Sequence, residues 1–463
     1  MYEINFQKPC HIYFVGIGGI SMSGLAEILA DAGFRVSGSD SQHSAITQML
    51  EDKNIQVFYG QRSENITPEI DCAVFTSAIH EDNPEFVAVR KLQIPYLTRA
   101  QLLGQLMKNY KTPIAVSGTH GKTTTTSMIS EILLAADTDP TLSIGGILKS
   151  IGGNIRVGRS GYFVTEACEY TNSFLSFYPK IGIILNIEED HMDFFKDLND
   201  IRNSFHRFAC LLPEDGCLII NGEIPDLQEI TQGLSCRIIT YGLHPQKGVT
   251  FDYTADSITY DTYAHPTFSV HDPSGCIREF ALKVPGEHNV SNALAAIILA
   301  DLLKVDSSVT ASALLHFTGT DRRFEYKGCI GGVTIIDDYA HHPTEIAATL
   351  RAARNYPHRT LWCVFQPHTY TRTKAFLKDF AKALCLADKV ILADIYAARE
   401  VNTIGISSDD LRMEIEKLGH DARYFPSFDQ IENFLLENCI SGDLLITMGA
   451  GDVHIIGEKL LGI

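Results

Sequence analysis

The sequence is short of basic residues. Lys and Arg number 38 against 56 Asp and Glu, a formal net charge of −18. It therefore lacks the broad cationic surface that nucleic acid or an anionic membrane would require. Any polyanionic ligand must be met by local clusters of cations and backbone amides. No apolar run reaches membrane-spanning length, and residues 1–7 lack the basic and apolar blocks of a secretory signal. No two of the 11 cysteines are spaced CxxC, which disfavours a thiolate metal site and suits free thiols in a reducing cytoplasm. There is no repeat of solenoid period and no low-complexity segment. What is left is an ordinary globular composition over 463 residues, long enough for about three domains.

The most informative stretch is Gly118-Thr119-His120-Gly121-Lys122-Thr123-Thr124. An apolar run at 113–116 precedes it and a helix-like run at 125–134 follows. Strand, glycine turn, Gly-Lys-Thr and helix together make a phosphate cradle. Glycines let the backbone approach the anion, and amides at the helix start point at it. In that cradle Lys122 reaches the terminal phosphates and the Thr123 hydroxyl ligates Mg²⁺. Val116 stands where the strict spacing wants glycine, so the motif is a shortened variant. The bland alternative is a tight strand-to-helix turn carrying a solvated lysine.

Toward the N-terminus, a strand at 10–15 runs into Gly16, Gly18, Gly19 and Ser21, then a helical pattern at 25–32 with Gly33 to cap it. A second strand at 35–40 ends in Asp40. This is a dinucleotide-type fingerprint, with glycines under a diphosphate and an acid where a ribose hydroxyl would lie. Ser21 replaces the third glycine. Strand signals at 72–76, with Ser77 beyond them, and a helix at 99–107 complete an α/β unit that ends near residue 108.

In the second unit, two strands deliver polar groups at their carboxyl ends: Glu166 after 161–165, and Asn186, Glu188, Glu189, Asp190, His191 and Asp193 after 180–186. Acids at strand ends beside a phosphate loop are candidates to hold Mg²⁺. Residues 249–284 alternate and are turn-rich, which predicts short antiparallel strands. Asn289 and Asn292 open an apolar helix; they either meet a base edge or cap the helix. From about residue 322, four strands alternate with helices in another doubly wound sheet. Adjacent His341 and His342 have the wrong spacing for a tetrahedral metal pair.

These motifs, taken in order, resemble those of the Mur ligases. The resemblance rests on the 118–124 loop, Asn186-x-x-x-Asp190-His191, His288-Asn289-x-x-Asn292, Arg322-Arg323-Phe324 and Asp337-Asp338-Tyr339. Residues 14–19, 37–40, 341–345 and 365–368 narrow it to the alanine-adding branch. It spans essentially the whole chain. The fold expected is α/β in three domains: a Rossmann-like domain over 1–108, a central P-loop ATPase-type mixed sheet over 109–321, and a Rossmann-like domain over 322–463.

The resemblance implies ATP-dependent joining of L-alanine to UDP-N-acetylmuramate, with ATP and Mg²⁺ as cofactors. Gly16, Gly18, Gly19, Ser21, Asp40 and Ser77 would hold the uridine diphosphate, so the fingerprint would not bind NAD. Gly118, Thr119, His120, Gly121, Lys122, Thr123 and Thr124 would hold ATP, aided by Asn289, Asn292, Arg323 and Asp338. Thr123, Glu166 and His191 would surround the metal. Lys122, Glu166, His191 and Arg323 would be catalytic, and His341, His368 and Arg372 would take the amino acid. The expected state is a cytoplasmic monomer or weak homodimer with no nucleic-acid or membrane partner.

Three departures stand out. No lysine occurs between Lys196 and Lys247, and His206 lies near the place where several relatives carry a carbamylated lysine. Thr369 stands where many alanine-adding members have Arg, and Cys168 and Thr171 stand where acids are common; none of these three receives a role. Three rival readings are an NAD-dependent oxidoreductase, a nucleotide-gated sensor, and a recycling ligase that joins a peptide to the same sugar nucleotide.

Overall fold

The computed structural model describes residues 2–76, 79–245, 248–398 and 400–463. The chain forms two compact units, residues 1–187 with 199–239, and residues 188–198 with 240–463.

In the first unit, five short strands lie side by side in the order Gln56–Tyr59, Arg35–Asp40, His11–Val15, Cys72–Phe75, Tyr96–Thr98. Every pairing among them is parallel. All five residues of His11–Val15 are buried, as a strand covered on both faces must be. A second set of strands in this unit centres on Thr112–Ser117, which pairs in parallel with Tyr162–Ala167 on one side and Ile181–Ile184 on the other. Both neighbours therefore end beside the phosphate loop.

The second unit carries an antiparallel meander, Tyr253–Tyr260, Pro266–His271 and Ile277–Ala281, as the alternating pattern predicts. Its larger sheet has six strands rather than the four expected: Glu325–Ile330, Val333–Asp338, Leu444–Met448, Leu361–Phe365, Lys389–Leu392, Ala422–Tyr424. Only the first pairing is antiparallel. The strand side chains alternate between two cores. Leu361, Cys363 and Phe365 pack with Leu350, Phe380 and Leu411 on one face. Trp362 and Val364 pack with Ile431, Leu435 and Ile456 on the other. Helices on both faces leave the carboxyl ends of the strands as the place where polar groups collect.

Candidate active site

The phosphate loop begins where the buried strand Thr112–Ser117 stops. Gly121 caps the helix Lys122–Ala135 with a left-handed φ of 82°, a conformation that a Cβ would disfavour. The amides of Lys122, Thr123 and Thr124 thus stand at a helix start with no intrahelical acceptor, which is a place for phosphate oxygens. Asn186 fixes the loop from the neighbouring strand. Its Oδ1 accepts from His120 N at 2.7 Å, its Nδ2 donates to the His120 carbonyl at 3.0 Å, and its own carbonyl accepts from Thr119 N at 3.1 Å.

Lys122 Nζ donates to the carbonyls of Gly118 (2.5 Å) and Thr119 (3.0 Å), and pairs with Glu169 at 3.1 Å. The two side chains are only 16% and 3% exposed. Burial works against the ammonium charge, but Glu169 outweighs it and holds the Lys122 pKa above its usual range. Sequence reasoning missed Glu169. Its signal was position alone: it leaves the same strand end as Glu166, three residues on.

Thr123 Oγ1 donates to Glu166 Oε2 at 3.2 Å, and Glu166 Oε1 accepts from Gly145 N at 2.5 Å. A hydroxyl and a carboxylate side by side at the phosphate end of the helix are hard oxygen donors, the set that Mg²⁺ prefers. These residues fit that ion. His191 belongs to the second unit.

At the fingerprint, Gly16 N and Ile17 N both donate to the Ser39 carbonyl at 2.9 Å. Asp40 Oδ2 accepts from Gly18 N at 2.8 Å, so one oxygen of this acid braces the glycine loop itself. The helix starts at Ile20, earlier than the apolar pattern suggested. Ser21 therefore lies in its first turn, where its Oγ accepts from Arg99 Nη1 at 3.0 Å. Ser77 lies outside the described residues.

In the second unit, Arg372 Nη2 meets Asp190 Oδ1 at 2.6 Å, both nearly buried. Asp190 Oδ1 also accepts from His191 N at 2.7 Å. Arg372 Nη1 lies 3.3 Å from His368 Nδ1, and the His368 ring stands edge-on to His341 and stacked on Tyr396. The three residues expected to take the amino acid are thus brought together, with His191 and Asp190 joined to them. Burial opposes the Asp190 charge, but Arg372 and His191 overcome it and hold the carboxyl below the usual range. Burial lowers both His341 and His368 to about 4, and Arg372 adds to the effect. Both rings are neutral near pH 7.

The remaining candidates are placed as follows. Arg323 lies over the Tyr339 ring, 4.0 Å from Glu345. Asp338 accepts from Phe324 N and Ala340 N at 2.8 and 2.7 Å; burial pushes its carboxyl up to about 6 although Arg323 opposes this. The helix Glu287–Leu302 is capped by Gly286, not by an asparagine. Asn289 Nδ2 donates to the Pro285 carbonyl and Asn292 Nδ2 to Asn289 Oδ1, so the capping alternative fails and both side chains line the helix start. His206 turns its Nδ1 to the Ile230 carbonyl at 3.0 Å. Thr369 holds a φ of 62°, strained for a β-branched residue, and its N–H donates to the Tyr396 carbonyl.

Three family models match the chain in succession: Mur ligase family, catalytic domain, over residues 11–111; Mur ligase middle domain over 116–300; and Mur ligase, glutamate ligase domain, over 322–451. The chain is 60% identical to the UDP-N-acetylmuramate–L-alanine ligase of Agathobacter rectalis, covering 100% of both chains. It is 57% identical to the ligase of the same name from Lachnospira eligens, again over 100% of each. Among solved structures it resembles UDP-N-acetylmuramate-alanine ligase from Thermotoga maritima, with a TM-score of 0.78, 30% identity and 98% of both chains covered. A murein peptide ligase from Psychrobacter arcticus matches with a TM-score of 0.69 at 26% identity, over 98% of each.

Proposed function

The chain belongs to the Mur ligase family, and from that membership we propose that it ligates L-alanine to the lactyl carboxylate of UDP-N-acetylmuramate at the expense of ATP. The reaction is a step in making peptidoglycan precursors. The observation that carries this reading is the phosphate cradle with Lys122 and the Thr123–Glu166 pair, in a chain that matches a relative of that activity over its full length.

The chemistry follows from what the reactants lack. A carboxylate does not accept an amine, because its leaving group would be an oxide. A carboxylate oxygen therefore attacks the γ-phosphorus, the bond to the β-phosphate oxygen breaks, and ADP leaves. The ammonium of alanine first gives a proton to solvent; the free amine then attacks the acyl carbon, the C–O bond to phosphate breaks, and the nitrogen releases a second proton to the departing phosphate or to solvent. Two anions must meet in the first step, so cations decide it. Lys122 supplies one beside the cradle amides. Magnesium, when bound, would neutralise charge on the β- and γ-oxygens; Thr123 and Glu166 would hold it, and His191 is proposed as a further partner.

In the second unit, Arg372 is proposed to meet the alanine carboxylate. The neutral rings of His341 and His368 accept hydrogen bonds from its ammonium. Asn289 and Asn292 are proposed for the adenine, and Arg323 and Asp338 for the nucleotide. Gly16, Gly18, Gly19, Ser21 and Asp40 are proposed for the uridine diphosphate. The domain limits 1–108, 109–321 and 322–463 belong to the same reading, as do a cytoplasmic setting, where ATP is supplied, and a monomer or weak homodimer.

The test is incubation with UDP-N-acetylmuramate, ATP, Mg²⁺ and single amino acids or the cell-wall tripeptide, read by product mass. The expected product carries one alanine. A product formed only from the tripeptide, or phosphate release that needs no amine, overturns the proposal.

A further inference from the structure

A further charge, Arg99, stands at the carboxyl edge of the five-stranded sheet, directly after strand Tyr96–Thr98. Val15 lies opposite both Ser39 and Phe75, and Phe75 lies opposite Thr98. The next residue on each strand is therefore Asp40, Gly16, Thr76 or Arg99, and the four leave the carboxyl edge in one row. Strand His11–Val15 is followed in sequence by its neighbour on one side, while Cys72–Phe75 lies on the other. That reversal opens the crevice in which doubly wound sheets take their ligands. Asp40 closes one end of the row by turning onto Gly18 N. Arg99 closes the other by reaching to Ser21 Oγ in the first turn of the fingerprint helix.

The environment of Arg99 is unusual for an arginine. Its fork offers five N–H donors. Among the described residues, one Nη reaches a protein side chain, Ser21, and no carboxylate pairs with it. It is half-buried, and burial pushes its pKa down, with only the Cys168 thiol opposing. In a chain with 56 acidic residues to 38 basic ones, an arginine withdrawn from water beside a glycine loop and facing no acid is costly unless an anion joins it. Its helix, Arg99–Met107, is held by a capping box at Thr98 and Gln101, so the guanidinium is presented from a fixed start.

We propose that Arg99 binds an anionic group of the sugar-nucleotide substrate, forming two hydrogen bonds to its oxygens beside the loop at 16–19. The assignment rests on the proposed function for the identity of that ligand. Two groups share the required chemistry, the diphosphate and the lactyl carboxylate. Arg99 is then a binding residue, not one that shapes the ATP site.

Calorimetric titration of the full-length protein, and of its Arg99→Ala and Arg99→Lys variants, with UDP-N-acetylmuramate, UDP and ATP tests this. Arg99→Ala weakens UDP-N-acetylmuramate by about 10- to 100-fold, the range for a charge-assisted pair, and leaves ATP binding unchanged. Arg99→Lys recovers part of the loss, since it keeps the charge without the fork. An equal loss with UDP identifies the diphosphate as the group held; unchanged UDP binding identifies the lactyl carboxylate. Undiminished UDP-N-acetylmuramate affinity in Arg99→Ala overturns the assignment, as does an equal loss of ATP affinity. A wild-type protein that binds UDP but not UDP-N-acetylmuramate overturns the functional reading instead, while the UDP arm still tests Arg99.

Discussion

Lys122 shows how one residue serves both fold and chemistry. Its ammonium is nearly buried against Glu169, so removing it takes away the opposite charge that this buried carboxylate faces. Breaking such a pair costs about 3–5 kcal/mol, while removing both charges costs far less. Lys122→Ala is therefore expected to lose ligation and also to melt earlier. Lys122→Ala with Glu169→Gln should regain most of the stability and none of the activity. Thermal melts beside turnover assays separate the two effects; recovery of turnover in the double variant would show that Lys122 is not needed at the phosphates. The motif made Lys122 legible from sequence, but not Glu169, because the pair forms across 47 positions and only folding brings them together. The pairing of Asp190 with Arg372 escaped for the same reason, since the two lie 182 positions apart.

A second expectation at this scale concerns pH. Burial lowers His341 and His368 each to about 4, against about 6.5 in an unfolded chain. Between those values the unfolded state binds more protons, so stability is full above about pH 6.5 and is lost as pH falls toward 4. Asp338, pushed up to about 6, acts in the opposite sense and returns roughly 1 kcal/mol over the same fall. Two histidines outweigh one carboxyl. Urea midpoints should drop between pH 7 and pH 5 by the equivalent of about 2 kcal/mol, and replacing His341 and His368 with Gln should flatten the slope. A rise in stability toward pH 5 would contradict these environments.

At the scale of elements, the site depends on where strands end. Strand Thr141–Leu148, paired in parallel with Tyr162–Ala167, brings Gly145 against Glu166, and a Cβ there would stand 2.5 Å from the carboxylate. The carboxylate is the end of a flexible side chain, so it moves and the strand stays. Gly145→Ala should keep the melting temperature but pull Glu166 off Thr123, raising the Mg²⁺ needed for half-maximal rate by about 10-fold or more. A magnesium titration with an unchanged midpoint would detach Glu166 from the metal. Element types were legible where the pattern was local: Arg35–Asp40 and Arg99–Met107 fall where the residues predict. Glu325–Ile330 was not read, because its polar sequence looks like a loop until it pairs with Val333–Asp338. Gly331 and Gly332, both at positive φ, are the hairpin signal that marks it.

For the whole molecule, three motif-bearing α/β segments in series were legible because each opens with a strand and a polar exit. The sequence does not show how the side chains at those exits share partners. Glu166, Asn186 and Arg99 acquire their positions only from parallel pairing between distant strands. The central claim is that phosphate is transferred to the substrate carboxylate before the amine arrives. It is tested most directly with UDP-N-acetylmuramate labelled with ¹⁸O in the lactyl carboxylate, turned over with ATP, Mg²⁺ and L-alanine. The account predicts one ¹⁸O in each inorganic phosphate released, because the C–O bond to phosphorus is the one that breaks when the amine attacks. Phosphate carrying no label, with alanine still joined, would contradict it.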